Sequence, residues 1–389
     1  MRTCIQWTQK TNGHYLPSFT ISGSKSREET NKLTNRDGSD ATITNVNTKT
    51  QSITIEQKLF QGFGGIADLE KNKIGLVLAE AKLLKTEQTI LLKAIEAYTG
   101  LILAKEKLEI NRRNVNLLER QVETDQLRLE SGKITVADLA QSESSLAGAQ
   151  AKFIEAKNEE VTAKLTYEKV IGPITDTNAL NKNLNINFEI PNNLNKAIEI
   201  SKKNNPDLII AKLEYEQSEK DVKIAKSDLS PSATLSLESS KTDDLSSTYD
   251  ERDKETITAT ISWPIFQGGK NTASLNRSKN LKNRKKLIFD NVLKTNDANV
   301  ASAWSNLQSS KSLLDAVRSQ VKAAEIANEG ITIEYESGLG RSTLDVIQSN
   351  SILLNSEINL ANFERNYFLS QFELLQTLGL LNNNYLKLQ

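Results

Sequence analysis

Cysteine and histidine are nearly missing from this sequence. Cys4 and His14 are the only ones in 389 residues. One cysteine closes no intrachain disulfide, and one of each builds no zinc site. His14, without a partner, reads as a surface residue. Proline, with 6 residues, and aromatics, at 5%, are also scarce, so little interrupts a long helix and no thick aromatic core is available. The 49 basic and 49 acidic residues cancel, which leaves no excess of positive charge for nucleic acid. No run of about 18 apolar residues occurs, so no transmembrane helix is expected. Met1 to Trp7 is followed by polar residues, with no apolar core region, so no signal peptide is visible. No nucleophile–base pair, metal-ligand spacing or phosphate loop is found. The expectation is a protein that is not an enzyme and holds no cofactor or metal.

What is present is a duplication. Leu59-Phe60-Gln61-Gly62-Phe63-Gly64-Gly65 is matched by Ile265-Phe266-Gln267-Gly268-Gly269-Lys270. Phe60 to Phe266 is a step of 266 − 60 = 206, and Gly132 to Gly338 is 338 − 132 = 206. Asp138 to Asp345 and Gly172 to Gly379 are both steps of 207, from 345 − 138 and 379 − 172. Matched landmarks in one order mark an internal repeat. The glycine stretches lack the Lys-Ser/Thr ending of a phosphate loop. They read as strand-to-helix transitions.

Before each transition the chain alternates. Ile53, Ile55 and Leu59 face one side, while Ser52, Thr54, Glu56 and Lys58 face the other. In the second copy Ile257, Ala259, Ile261 and Trp263 alternate with Thr256, Thr258, Thr260 and Ser262. Period two predicts strands with one apolar and one wet face. With flanks, each run suits a tilted membrane-spanning strand. Ile53, Ile55, Ile257, Ile261 and Trp263 are the expected lipid-facing set. Residues 25–47 read as a long exposed loop. After each transition the pattern turns helical. Residues 67–130 contain no proline, and at 1.5 Å per residue they predict a helix of roughly 95 Å. Residues 272–336 repeat this. Ser131-Gly132-Lys133 and Ser337-Gly338-Leu339-Gly340 predict turns, followed by return helices from about Thr135 to Ile171 and from Ser342 to Leu378.

The expected division has an unassigned, truncated start over 1–13 and a first strand hairpin over 14–60. A first helical hairpin covers 61–172, a linker 173–204 and a helix into the second repeat 205–229. The second strand hairpin covers 230–266, the second helical hairpin 267–379, and a tail 380–389. Four strands cannot close a membrane barrel, whose smallest forms use about eight. Strands that span lipid therefore require several chains to share one barrel.

The duplicated strand–FQGG–helix units, the two Ser-Gly tips each followed by an aspartate, and the helix start Asn205-Pro206-Asp207-Leu208 resemble the TolC family of outer-membrane efflux proteins. The resemblance covers about residues 14–381. It implies a mainly helical fold with membrane β: a homotrimer whose 12-stranded barrel continues into a helical tunnel. It implies a passive exit duct in the Gram-negative outer membrane, reaching into the periplasm and contacting outer-membrane lipid. The partners implied are a periplasmic adaptor and, through it, an inner-membrane pump. The alternative is a periplasmic adaptor or coiled-coil scaffold, which would carry one hairpin between β-rich segments rather than two in tandem.

The resemblance also assigns sites. Phe60, Gln61, Gly62, Phe266, Gln267 and Gly268 match the barrel-to-tunnel transition. Ser131, Gly132, Ser337 and Gly338 match the hairpin tips that meet an adaptor. Asp138, Tyr335 and Arg341 match positions that hold the periplasmic end closed, with an Arg341–Asp138 contact joined by the Tyr335 hydroxyl. Asp345 matches a ring of charge inside the gate. Gln348 stands where the family often has a second aspartate, which implies milder cation selectivity. The family's helix before the first strand and its signal peptide are not matched by residues 1–13.

Overall fold

The computed structural model describes residues 16–41, 45–182, 189–246, 248–338, 340–382 and 385. The unassigned start with Cys4 and His14, the turn residue Leu339 and most of the tail lie outside them. Strand β1 (Ser18–Lys25) is followed by the two-residue strands β2 (Glu28–Glu29) and β3 (Asn45–Val46), then β4 (Lys49–Gln61). Helix α1 (Gly64–Glu130) and its return α2 (Val136–Val170) follow. A 3-10 turn (Thr177–Ala179), α3 (Leu194–Asn204) and α4 (Pro206–Ser227) lead to β5 (Ser232–Asp243) and β6 (Glu251–Ser262). Helix α5 (Lys270–Glu336) and α6 (Thr343–Leu378) complete the second copy.

The chain divides into two compact units that cut across the duplication. The first holds Met1–Lys82 with Ile209–Val292, the second Leu83–Leu208 with Leu293–Gln389.

The first unit contains an antiparallel sheet in the order β1-β4-β5-β6. Its register lines up like with like. Phe19, Ile55, Leu237 and Ile257 form one cross-strand row, and Thr20, Thr54, Glu238 and Thr256 form the next. Directly opposed residues share a face, so one face carries the apolar residues, with Lys25, Lys49, Asp243 and Glu251 forming a charged row at its far end, and the other is rich in serine and threonine. Ile53, Ile55, Ile257 and Ile261 fall on the apolar face. Trp263 lies just past β6, exposed, with its indole N–H donating to the Leu229 carbonyl at 3.2 Å.

Two expectations need correction here. The alternation assigned Leu59 to the apolar face, but the register shifts between Lys58 and Phe60, and Phe60 pairs with Ala233 instead. Leu59 is the extra residue of a bulge, which passes its place to Phe60. The loop 25–47 was expected to lack strands, yet β2 pairs with β3 and Val46 is buried. A two-residue ladder is too short to leave a periodic signature.

Both transition glycines take positive φ: +54° at Gly62 and +60° at Gly268. Gly62 also lies close against the end of α4, where an added Cβ would sit 2.9 Å from the Ser227 carbonyl. Helix α4 is tied to α1 by Lys71–Asp221 and Lys220–Glu70 (2.7 Å each) and to α5 by Lys285–Glu214 (2.7 Å) and Lys282–Glu219 (3.1 Å).

In the second unit the core lies where α3 meets α5 and α6. Ala197, Val300, Leu374 and Leu378 are fully buried together, with Trp304 against them. Phe372, Leu375 and Leu381 form a second cluster with Leu91, Leu92 and Ile95 of α1. Each buried valine, leucine or phenylalanine here contributes about 1.5–3 kcal/mol by leaving water. Asn205 caps α4: its Oδ1 accepts the Asp207 N–H at 2.8 Å, with Pro206 at the first helical position. Its Nδ2 donates to the Thr377 carbonyl at 2.8 Å, and Ser201 donates to the same carbonyl at 3.1 Å. Helix α6 ends beside them at Gly379, φ +77°. The N–H of Leu380 bonds back to Leu375, closing a Schellman turn.

Gly379 has no room for a side chain, because an added Cβ would collide with the Asn204 carbonyl. Gly379→Ala should therefore destabilise the protein by about 2–4 kcal/mol, combining left-handed strain with overpacking. Gly148→Ala, in the interior of α2 with open space around it, should be neutral or stabilise by up to about 1 kcal/mol. Thermal unfolding of the two variants side by side tests this. Equal melting shifts would refute it.

Candidate functional site

The tips of the two helical hairpins carry the gate and adaptor-contact residues singled out in the sequence, and these fall in the second unit. At the first tip Gly132 takes φ +71°. Its N–H bonds to Leu129 (2.9 Å), and that of Lys133 bonds to Arg128 (2.8 Å), so α1 ends in a Schellman turn. Gly338, φ +73°, follows the end of α5 with its N–H on the Tyr335 carbonyl. Ser131, Gly132, Ser337 and Gly338 are all exposed.

The tip aspartates are helix caps. Thr135 is the N-cap of α2, and Asp138 accepts its N–H (2.9 Å) and hydroxyl (2.7 Å) while returning a backbone donor. Ser342 and Asp345 repeat this capping box at α6. The backbone bond to the cap, then its hydroxyl, hold both carboxyls below the ordinary aspartate value. Gln348 is exposed on the next turn of α6.

The expected Arg341–Asp138 contact is not made within the chain. Arg341 Nε donates to Glu334 at 2.6 Å, and the Asp138 carboxylate is engaged by its own cap. The reason is local: Glu334 lies one side chain away across the same turn. The Tyr335 hydroxyl does not join these residues either. It is buried, 4% exposed, and donates to Asp125 Oδ1 at 2.6 Å.

Asp125 was not foreseen, and it is the centre of the site. Its carboxylate is fully buried. Besides Tyr335 it accepts the Ser142 hydroxyl (2.5 Å) and the Gln121 amide (3.0 Å to each oxygen). Thr343 shares the Tyr335 hydroxyl at 3.0 Å. Arg128 stacks over the Tyr335 ring, 4.0 Å from its centre, and donates to the Tyr335 carbonyl at 3.1 Å. One carboxylate thus joins α1, α2 and α5, and through Tyr335 also α6. Burial, then the Asp125 carboxylate, push the Tyr335 phenol above its usual value, so the hydroxyl keeps its proton and remains a donor. A buried charge is tolerated when its lone pairs are filled in this way.

Higher on the same unit, the linker between the copies is held by Lys182. It bridges Glu106 of α1 (2.6 Å) and Glu364 of α6 (2.7 Å). Burial works against its charge, but the two carboxylates outweigh that and raise its basicity. Among the described residues no cluster of His, Cys, Asp and Glu suits a metal ion. The groups at the tips form hydrogen bonds, an ion pair and a cation–π contact, and among the described residues none of these pairs a nucleophile with a base.

Comparison with known proteins fits this geometry. A family model described as outer membrane efflux protein matches residues 11–173 and 197–380. The outer membrane efflux protein BepC of Brucella suis is 26% identical over 345 residues, covering 88% of this chain and 74% of that protein. The alkaline protease secretion protein AprF of Pseudomonas aeruginosa is 21% identical over 342 residues, covering 87% and 71%. In fold, the outer membrane protein VceC of Vibrio cholerae superposes with a TM-score of 0.83 at 18% identity, over 97% of this chain and 90% of that one. The chain belongs to the outer membrane efflux protein family, as a channel protein of the Gram-negative outer membrane and not an enzyme.

Proposed function

We propose that three copies of this chain form one passive exit duct, a 12-stranded barrel in the membrane continuous with a helical tunnel. A periplasmic adaptor, and through it an inner-membrane pump, delivers the cargo. The observation that carries this is the sheet: four strands, apolar on one face and hydroxylated on the other, with β1 and β6 each offering one unpaired edge. Three copies supply twelve strands and leave no edge. In this reading Ile53, Ile55, Ile257, Ile261 and Trp263 face lipid, and the threonine face lines water. The Phe60-Gln61-Gly62 and Phe266-Gln267-Gly268 stretches join barrel to tunnel. The exposed tips at Ser131, Gly132, Ser337 and Gly338 receive the adaptor.

The tips also serve as the gate. Arg341, Asp138, Asp345 and Gln348 are the outer residues, available to neighbouring copies, while Asp125 and Tyr335 lock the two hairpins of one copy together. AprF is a protease secretion protein, which supports testing proteins as well as small molecules as cargo.

Native mass measurement in detergent should give a trimer, and planar bilayers should show discrete channels. A stable monomer without conductance would refute the reading. Arg at Ile261 should cost up to about 2–4 kcal/mol of barrel stability if it lies near mid-bilayer.

Tyr335→Phe and Asp125→Asn should each raise single-channel conductance with the trimer intact. The lost bond to a charged group is worth about 1.5–3 kcal/mol. Combined, they should add little to either alone, because they break one contact. Arg341→Ser should add to both, since Arg341 pairs separately with Glu334. Full additivity of Tyr335→Phe and Asp125→Asn would remove the lock.

The tip caps have a pH signature. Asp138 and Asp345 titrate below their ordinary value, 3.8. Their stabilisation is therefore present above that value and lost as pH falls through the lower folded values. Hydrogen exchange of residues 135–145 and 342–350, corrected for intrinsic rate, should be constant from about pH 7 to 5 and accelerate only in stronger acid. Loss of protection already at pH 5 would contradict the capping role.

A further inference from the structure

The two unpaired edges differ in charge and pattern, and we infer that they pair in one register: Lys25 of β1 opposite Glu255 of β6 in the next copy. This rests on the trimeric barrel proposed above. In antiparallel pairing the residue numbers across the seam have a constant sum. An odd change in that sum would set an apolar face against a polar one, so only even staggers are open.

Barrel geometry narrows them. A walk along the row Phe19, Ile55, Leu237, Ile257 does not return to Phe19 of the next copy, because barrel strands tilt. Twelve strands about 4.8 Å apart span about 58 Å, and each residue of stagger adds about 3.3 Å along the strand. A stagger of two residues per copy gives a tilt of about 19°, four gives about 35°, and six gives about 46°, against the usual 35–45°.

The side chains choose among these. With four, Ile257 faces Gly23, and the seam pairs Lys25 with Glu255, Ile21 with Ala259, and Phe19 with Ile261. Ser18 then meets Ser262, so the whole of β1 lies against β6 strand residues. Among the described residues neither Lys25 nor Glu255 has an ion-pair partner in its own chain, so both charges are available to the seam. With six, Lys25 would face Ile257, and Phe19 would need Trp263, whose carbonyl is already bonded by the Ile265 N–H at 3.0 Å. A stagger of four in the opposite sense would set Phe19 against Asp253 and Ile21 against Glu251. Opposite charges and matched apolar residues stabilise cross-strand pairs, and the mismatched registers lose both.

The test is cysteine cross-linking in the full chain with Cys4 replaced by serine. Ser22→Cys with Thr258→Cys are directly opposed in this register and open to an aqueous oxidant on the polar face. Within one chain they are separated by two strands, so about 14 Å prevents an internal bridge. Oxidation should convert most of this variant to covalent dimers and trimers. Ser22→Cys with Thr256→Cys, or with Thr260→Cys, should link poorly. Lys25→Glu should lower the heat resistance of the trimer on gels, and adding Glu255→Lys should restore it. Preferential linking through Thr260→Cys or Thr256→Cys, in a protein that native mass shows to be trimeric, would overturn the register alone. Absence of any trimer would instead overturn the assembly on which it rests.

Discussion

A backbone N–H or C=O left unpaired in hydrocarbon costs several kcal/mol. For this chain that cost decides the architecture. One copy makes a sheet of four strands in which β4 and β5 are paired on both sides and β1 and β6 on one. The remaining edges cannot face lipid. In the proposed assembly other copies satisfy them, and the edges of the sheet are what that assembly would use. One row of its apolar face, Phe19, Ile55, Leu237 and Ile257, runs unbroken across all four strands. The bulge at Leu59 sits where the wall meets the helices, and there it re-aims the alternation so that Phe60 keeps the apolar side.

Much of this was legible from residues alone. Strand alternation has period two and the helices are proline-poor over more than sixty residues, so both elements announce themselves. Gly132 and Gly338 were readable as tips because a left-handed helix end selects glycine. Gly172 and Gly379 were found as matched landmarks, but the reason for Gly379 lies in its contact with Asn204, 175 residues away by 379 − 204. That kind of constraint leaves no local pattern. The same holds for the site. Asp138 and Asp345 stood out as the aspartates that follow the two Ser-Gly tips, and the structure makes both of them caps. Asp125 was invisible, since an acid on a long helix normally faces water. Its partner Tyr335 is 210 residues distant, and no spacing rule connects them.

The tip network also changes what holds the hairpins together. Surface ion pairs such as Arg341–Glu334 are worth little individually. The buried Asp125 is different, because removing a partner leaves a charge with an unfilled lone pair in a place water does not reach. Strength at the tip therefore comes from burial, while the exposed charges remain free to respond to a neighbour or a docking protein. The two roles occupy different residues, which allows the outer set to vary without loosening the inner one.

The tight fit at Gly379 has a mechanical consequence. Helix α6 ends with its backbone pressed on the junction between α3 and α4, and Ser201 and Asn205 grip the last turn through the Thr377 carbonyl. A helix stopped in this way cannot slide along its axis, because even a methyl group will not fit at the stop. Its far end is held through the Tyr335–Thr343 contact. The natural motion of α6 is thus that of a lever on a fixed heel. Displacement grows with distance from Gly379, so a small change of angle there becomes a wide sweep where Ser342 begins the helix.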